Sequence, residues 1–216
     1  DALWFLASPE NATQRYLYRQ SLSGGEPVRV TPLDQPGSHD YQISDDGRFA
    51  IHRWSSRSQV PQVELVRLPN HESVDRFPEV RNESLAARID ELPLVREEFF
   101  QLELPDGAVV DGWMMYPPDF DPEIGKWPLL MHVYGEPAGT TVNDSWGSAS
   151  QLWHRLLAQE GYVVASIDNR GTPAPKGRAW RKSVYGEIGV LAAADQAQAV
   201  LGLIAAHPWI DPERIG

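Results

Sequence analysis

A tyrosine at the end of an apolar run is the residue of this sequence best placed to take part in catalysis. Residues 129–139 have the sequence LLMHVYGEPAG, in which Tyr134 ends the run and Gly-Glu-Pro follows. In an open α/β sheet, ligands bind beyond the carboxyl ends of the strands. A phenolic O–H at such an end can donate a hydrogen bond to a developing oxyanion. Tyr134 is therefore the candidate catalytic residue, with a plain strand cap as the alternative.

A second polar segment follows another apolar run, within SIDNRGTPAPKGRAW at residues 166–180. Asp168 and Arg170 carry opposite charges, and we expect them to form an ion pair that fixes the following loop. Gly171 permits a sharp exit of the chain, because glycine adopts positive φ without steric cost. These three residues are predicted to be structural neighbours of the site and not catalytic.

The local patterns of a complete hydrolytic or metal site are absent from the sequence. No G-x-S-x-G occurs in the 216 residues, and no cysteine is present to act as a nucleophile or form a disulfide. The histidines show no H-x-H, H-E-x-x-H or H-x₃-H spacing. We therefore expect no metal site and no cofactor, and we interpret His132 and His207 as structural.

The charge and the longest apolar stretch exclude two classes of partner. The formal net charge is −11, which disfavours nucleic acid, since phosphate binding requires clustered Lys and Arg. The longest apolar stretch, residues 199–206, has eight residues and is too short for a transmembrane helix. We expect neither a nucleic-acid partner nor a membrane span in this chain.

Short strands joined by turns are predicted over residues 1–78. The predicted strands cover residues 3–7, 14–22, 28–30, 41–43, 49–54 and 62–68. Residues 3–30 weakly resemble residues 49–77, at an offset of about 46 residues, and a period of about 40–50 residues is typical of β-propeller blades. One full blade over about 39–78 and the last strands of another would fit. An ordinary antiparallel sandwich fits the spacing equally well.

A helix and then an α/β pattern are predicted for the rest of the chain. Asn82 is expected to cap a short helix that ends at Leu92 and links two domains. A hairpin over residues 99–116 follows. Strands over 129–134 and 162–167 then alternate with helices over 148–159 and within 187–207, and this alternation predicts a parallel sheet with covering helices.

Three segments together resemble the prolyl oligopeptidase family of serine peptidases, and in particular its dipeptidyl peptidase IV branch of bacterial type. They are YPPDFDPEIGKWPLLMHVYGEPAG, GYVVASIDNRGTP and AHPWIDPERIG, in the order and spacing of that family. The resemblance runs from about Glu97 to Gly216. It implies a mixed fold, with a β-propeller blade remnant followed by the N-terminal half of an α/β-hydrolase domain. The corresponding domains are 1–78, a linker helix at 79–96, and 97–216.

The resemblance also implies roles for individual residues. Tyr134 matches the family's oxyanion donor, and Asp168 to Gly171 match its D-N-R-G stretch. The catalytic Ser, Asp and His would lie beyond Gly216. Residues 1–216 alone are therefore expected to be inactive. The parent protein would be a serine exopeptidase that releases N-terminal dipeptides with Pro or Ala in second position, and its partner would be a peptide substrate. A homodimer stays open, as does a periplasmic or cytoplasmic location in a bacterium.

Two departures from the family pattern keep other functions open. Glu136 stands where the family often has a second glycine, and Ala192 stands where it tends to have a glutamate before Asp195-Gln196. These substitutions allow a non-catalytic pseudo-peptidase that serves as an interaction protein. An α/β-hydrolase that cleaves esters is the third candidate.

Overall fold

The chain forms two compact units in a computed structural model that describes residues 1–74, 80–93 and 95–216. Unit 1 comprises Asp1–Glu91 and Asn143–Gly147, and unit 2 comprises Leu92–Val142 and Ser148–Gly216. The predicted domain boundary at residue 78 lies outside the described residues.

Unit 1 contains two antiparallel sheets. The first has three strands in the order β1-β2-β3, and the second has four in the order β4-β5-β6-β7. The strands are β1 (Ala2–Ala7), β2 (Tyr16–Ser21), β3 (Val28–Arg29), β4 (Ser38–Ile43), β5 (Phe49–Ser55), β6 (Gln62–Arg67) and β7 (Glu72–Ser73). All six strands predicted for this region are confirmed, each within a few residues at its ends.

The core of unit 1 joins these sheets through small and branched apolar side chains. Leu17, Ala50, Val66 and Leu68 are buried together, as alternation of apolar and polar residues along each strand requires. Asp144 also belongs to this unit, where its carboxylate accepts hydrogen bonds from the Arg57 N–H at 2.9 Å and the Gln14 amide at 2.7 Å. A segment distant in sequence is thereby held in unit 1.

The linker helix is present, but the predicted cap is wrong. Helix α1 covers Glu83–Asp90. Asn82 precedes it with a left-handed φ of 51° and makes no side-chain capping bond. Its amide donates instead to the carbonyl of Pro61. The side chain thus satisfies a loop acceptor and not a helix N–H.

Unit 2 is a five-stranded mixed sheet in the order β12-β10-β11-β9-β8, with helices. The elements are β8 (Glu97–Glu103), β9 (Val109–Met115), β10 (Trp127–Met131), α2 (Ser148–Gln159), β11 (Val163–Asp168), α3 (Gly177–Lys182), α4 (Val190–Ala206) and β12 (Ile210–Ile215). β10 and β11 are parallel, as predicted, and β12 also pairs with β10 in parallel. The β8–β9 hairpin extends this sheet on the antiparallel side, through β9 and β11.

Burial on both faces explains the apolar run of β11, in which every residue is buried. Helix α2 has the predicted bounds. Gln151, His154 and Ala158 are buried on this helix, whereas Leu156 is 45% exposed. Among the residues that the structure describes, no helix combines the length and apolar character needed to cross a membrane.

Candidate active site

The candidate site lies at the carboxyl edge of the sheet of unit 2. Strand β10 ends at Met131, and the His132 N–H extends its ladder by donating to the carbonyl of Ala165 at 2.7 Å. The chain therefore leaves the sheet before Tyr134, although the strand was predicted to continue to that residue. Tyr134 lies in a loop over residues 132–142, which we call the tyrosine loop.

Asp168, the last residue of β11, holds the far end of the tyrosine loop. Its carboxylate accepts hydrogen bonds from the Thr141 N–H at 2.8 Å, the Thr141 hydroxyl at 3.1 Å and the Val142 N–H at 3.3 Å. Burial raises the pKa of Asp168 above its usual range, while these hydrogen bonds act to lower it. A carboxylate that accepts several backbone and hydroxyl hydrogen bonds fixes the local backbone.

Asn169 holds the near end of the same loop. Its amide donates to the carbonyl of Gly135 at 3.3 Å, and its own carbonyl oxygen accepts from the Gln196 amide at 3.1 Å. Asn169 is buried, and Gln196 lies on α4. Two successive residues at the end of β11 thus tie both ends of the tyrosine loop to the sheet.

Arg170 pairs with Asp195 of α4, so that the predicted ion pair between Asp168 and Arg170 is wrong. Its guanidinium donates to both oxygens of Asp195, at 2.6 and 3.0 Å, and lies 2.7 Å from Asp106. The Arg170 N–H also donates to Asp195 at 2.9 Å. Hydrogen bonding to Asp195 raises the pKa of Arg170 further. The pair connects the end of β11 to α4, which fits the predicted structural role.

Gly171 occupies a position that requires glycine for two reasons. Its φ is +92°, and a Cβ built there would lie 2.5 Å from a methyl of Val184. Its N–H donates to the carbonyl of Trp180 at 3.1 Å. The chain therefore turns sharply after Arg170 and returns against α3. This turn is the sharp exit that was predicted at Gly171.

Tyr134 itself is 48% exposed. Its ring lies against Gly139 of the same loop, where an added Cβ would come within 3.1 Å of Cε1. Glu136 is exposed on the loop, and Ala192 is buried on α4. The arrangement presents a phenol on a loop anchored at both ends, and a hydrogen-bond donor held in place in this way could stabilise a developing negative charge.

Two further residues, which no sequence motif marks, shape the loop. The hydroxyls of Thr141 and Ser166 lie 2.7 Å apart, and Ser166 donates to the carbonyl of His132. Thr141 and its partner Asp168 are 27 residues apart. No local motif marks such a contact, because it depends on the pairing of β10 with β11.

Comparisons with known proteins agree with this reading of the fold. Residues 149–216 match the sequence profile described as the prolyl oligopeptidase family. The chain is 29% identical over 213 residues to the "Probable dipeptidyl-aminopeptidase B" of Emericella nidulans, which covers 99% of the chain and 23% of that relative. It is also 29% identical over 218 residues to the "Probable dipeptidyl peptidase 4" of Aspergillus flavus, and this match covers 99% of the chain and 27% of that relative.

A solved structure is similar over the entire chain. The crystal structure of Porphyromonas gingivalis dipeptidyl peptidase 4 has a TM-score of 0.88 and 27% sequence identity, covering 100% of this chain and 29% of that one. The chain thus spans about a quarter of the length of the relatives it matches. The chain is thus similar to dipeptidyl peptidases in sequence and structure over its whole length, and residues 149–216 match the prolyl oligopeptidase family.

Proposed function

We propose that this chain is a region of a serine exopeptidase that releases N-terminal dipeptides, with Pro or Ala in second position. The observation that carries the proposal is the tyrosine loop, anchored through Asp168 and Asn169 at the carboxyl edge of the sheet. The relatives named dipeptidyl peptidase support the substrate class.

In this proposal Tyr134 stabilises the tetrahedral intermediate of amide cleavage. A serine of the whole protein attacks the carbonyl carbon of the scissile bond, and the carbonyl oxygen becomes an oxyanion. The Tyr134 hydroxyl donates a hydrogen bond to that oxygen, and the bond strengthens as the negative charge develops. Collapse of the intermediate breaks the C–N bond, and the leaving amine takes up the proton that the serine hydroxyl gave up. Water then hydrolyses the acyl-serine, which releases the dipeptide and regenerates the serine.

The finer fold assignment is part of the proposal. We infer that the four-stranded sheet β4–β7 is one propeller blade and that β1–β3 are the last strands of another. Unit 2 is then the first half of an α/β-hydrolase domain. The division at 1–78, 79–96 and 97–216 is supported by the boundary between Glu91 and Leu92, which falls within the linker segment.

The test is hydrolysis by the full-length protein of three substrates: a chromogenic Gly-Pro amide, the same amide with an acetylated N-terminus, and a short acyl ester. We expect cleavage of the free Gly-Pro amide alone, abolished by a serine-directed fluorophosphonate. Cleavage of the ester alone would indicate an esterase. No cleavage of any substrate would indicate a non-catalytic interaction protein. Light scattering on the same sample tests whether the protein forms a homodimer.

A further inference from the structure

A row of polar side chains crosses the four-stranded sheet of unit 1. His52 of β5 pairs directly with Tyr41 of β4 on one side and with Glu64 of β6 on the other. Directly paired residues of antiparallel strands project from the same face of the sheet. The pairing therefore places an imidazole beside a carboxylate in the interior of the sheet.

The hydrogen bonds of this row form one continuous chain. His52 Nδ1 lies 2.9 Å from Oε1 of Glu64, and His52 Nε2 lies 2.8 Å from Nδ1 of His39. His39 Nε2 in turn lies 3.0 Å from the carbonyl of Gln35. His39 and His52 are both buried.

With both imidazoles neutral and Glu64 ionised, this chain of contacts has one hydrogen-bond donor too few. A carbonyl and a carboxylate can only accept hydrogen bonds, and each neutral imidazole carries a single N–H. If His39 donates to Gln35, then His52 donates to His39, and the unprotonated Nδ1 of His52 faces the carboxylate of Glu64. Two lone pairs at 2.9 Å require a cation between or beside them. A proton or a metal ion meets that requirement.

His71 adds a third ligand beside this pair. It lies next to β7 with a left-handed φ of 56°, and its ring is edge-on to that of His52, with the centroids 4.8 Å apart. One ligand atom from each of His52, Glu64 and His71 lies within 4.8 Å of the others. The Tyr41 hydroxyl lies 2.8 Å from His71 Nε2 and orients the ring.

A cavity of about 170 Å³ gives access to the pair, and His52, Glu64, Gln35 and Arg81 are among its lining residues. Oε1 of Gln35 is shielded from solvent and has no hydrogen-bond partner among the described residues. A metal-bound water in this cavity would find an acceptor there.

We propose that His52, Glu64 and His71 bind a divalent transition-metal ion of the zinc class. Two imidazole nitrogens and one carboxylate oxygen, with water in the fourth position, are an established ligand set for zinc. His39 is the positioning residue, since it accepts the remaining N–H of His52 and so leaves Nδ1 free for the metal. The ion would fasten the segment at His71 to β5 and stabilise unit 1. This inference does not depend on the proposed peptidase activity, and it departs from the expectation of no metal site.

The test begins with the full-length wild-type protein, stripped by a chelator and reloaded with zinc. We expect one zinc per chain by elemental analysis and a rise in the thermal midpoint with zinc, because a ligand that binds the folded state stabilises it. Zinc should also protect His71, but not His207, from acylation by diethylpyrocarbonate. Absence of stoichiometric zinc, or unchanged modification of His71, would overturn the proposal and leave His52 and Glu64 as a proton-bridged pair.

Single substitutions show which residues bind the zinc ion. His39→Asn should weaken zinc binding about 10–100-fold, the usual loss for a residue that orients a ligand. Glu64→Gln and His71→Ala should weaken it at least as much, whereas the exposed control Glu72→Gln should bind as wild type. Arg81→Gln, which removes a cation from the cavity lining, should bind zinc no less tightly. Wild-type affinity for zinc in both Glu64→Gln and His71→Ala would contradict the assignment. The measurement of His71 protection uses the wild-type protein and therefore does not depend on the folding of any variant.

Discussion

The proposed chemistry depends on one group of this chain, the Tyr134 hydroxyl. Removing one oxyanion donor lowers turnover by about 10²–10³. We therefore expect Tyr134→Phe in the full-length protein to lose kcat by that factor with little change in KM, because the hydrogen bond acts mainly in the transition state. Steady-state kinetics on the Gly-Pro amide measure both.

Tyr185→Phe is the matched control for this substitution. Tyr185 is 85% exposed and lies outside the tyrosine loop, so that loss of its hydroxyl should leave kcat and KM unchanged. A Tyr134→Phe variant with wild-type kcat would remove the oxyanion role. A rise in KM alone would assign Tyr134 to substrate binding.

The sequence marks the candidate site residues but not the residues that they contact. Tyr134 and the Asp168–Gly171 stretch are marked by the apolar runs that precede them. The ion pair expected between Asp168 and Arg170 does not form, because the two residues flank the end of a strand and are drawn to different partners. Asp168 contacts Thr141, and Arg170 contacts Asp195, 25 residues further along. Spacing along the chain gives no signal for such contacts.

The turn from β11 to α3 depends on Gly171 at the scale of the element. An alanine there would combine a positive φ with a Cβ 2.5 Å from Val184. Gly177 has a similar φ of +87° but open space around it, so that Gly177→Ala incurs only the left-handed backbone cost of about 1–2 kcal/mol. Urea unfolding should show a larger loss for Gly171→Ala than for Gly177→Ala.

Val184→Ala separates the two costs at Gly171. Added to Gly171→Ala, it removes the overlapping methyls and should recover part of the stability, although the backbone cost remains. Equal losses for Gly171→Ala and Gly177→Ala would show that Val184 moves aside freely. The sharp turn would then depend on backbone conformation alone.

The C-terminal end of α4 gives unit 2 a pH-dependent stability. Burial lowers the pKa of His207 below its ordinary 6.5, while Glu98 acts to raise it. Between the lowered value and 6.5 the unfolded chain binds more protons than the folded one, so that stability falls as the pH falls through that window. Burial outweighs the favourable interaction of a cation with the helix C-terminus.

His207→Gln should flatten this part of the pH dependence, because glutamine does not titrate. Unfolding by urea at a series of pH values measures the effect, with exposed Lys182→Gln as the control. The same slope in His207→Gln and wild type would assign the acid sensitivity to another group. The control variant should keep the wild-type slope.

The bounds of helices and strands are predicted well, because the residues of each element decide them. The buried faces are predicted less well, because they depend on the neighbouring elements. Helix α2 has its predicted bounds, yet its buried face carries Gln151 and His154, because the helix packs on residues that the helical pattern alone does not reveal. Cross-strand pairing has the same consequence in unit 1. His52 and Glu64 are 12 residues apart and His71 lies further on, so that their cluster depends on strand register and not on a local metal motif.

At the scale of the whole molecule, the described units contain an anchored hydrogen-bond donor, while the sequence has no recognisable activated nucleophile. A donor stabilises charge but cannot begin acyl transfer, which requires a nucleophile and its base. G-x-S-x-G is absent from the 216 residues. We therefore expect residues 1–216, expressed alone, neither to hydrolyse a Gly-Pro amide nor to react with a fluorophosphonate, whereas the full-length protein does both. Circular dichroism checks that the shorter chain is folded. Cleavage by the 216-residue chain that a fluorophosphonate abolishes would place the nucleophile among its own serines and would reduce the tyrosine loop to one part of a site complete in these two units.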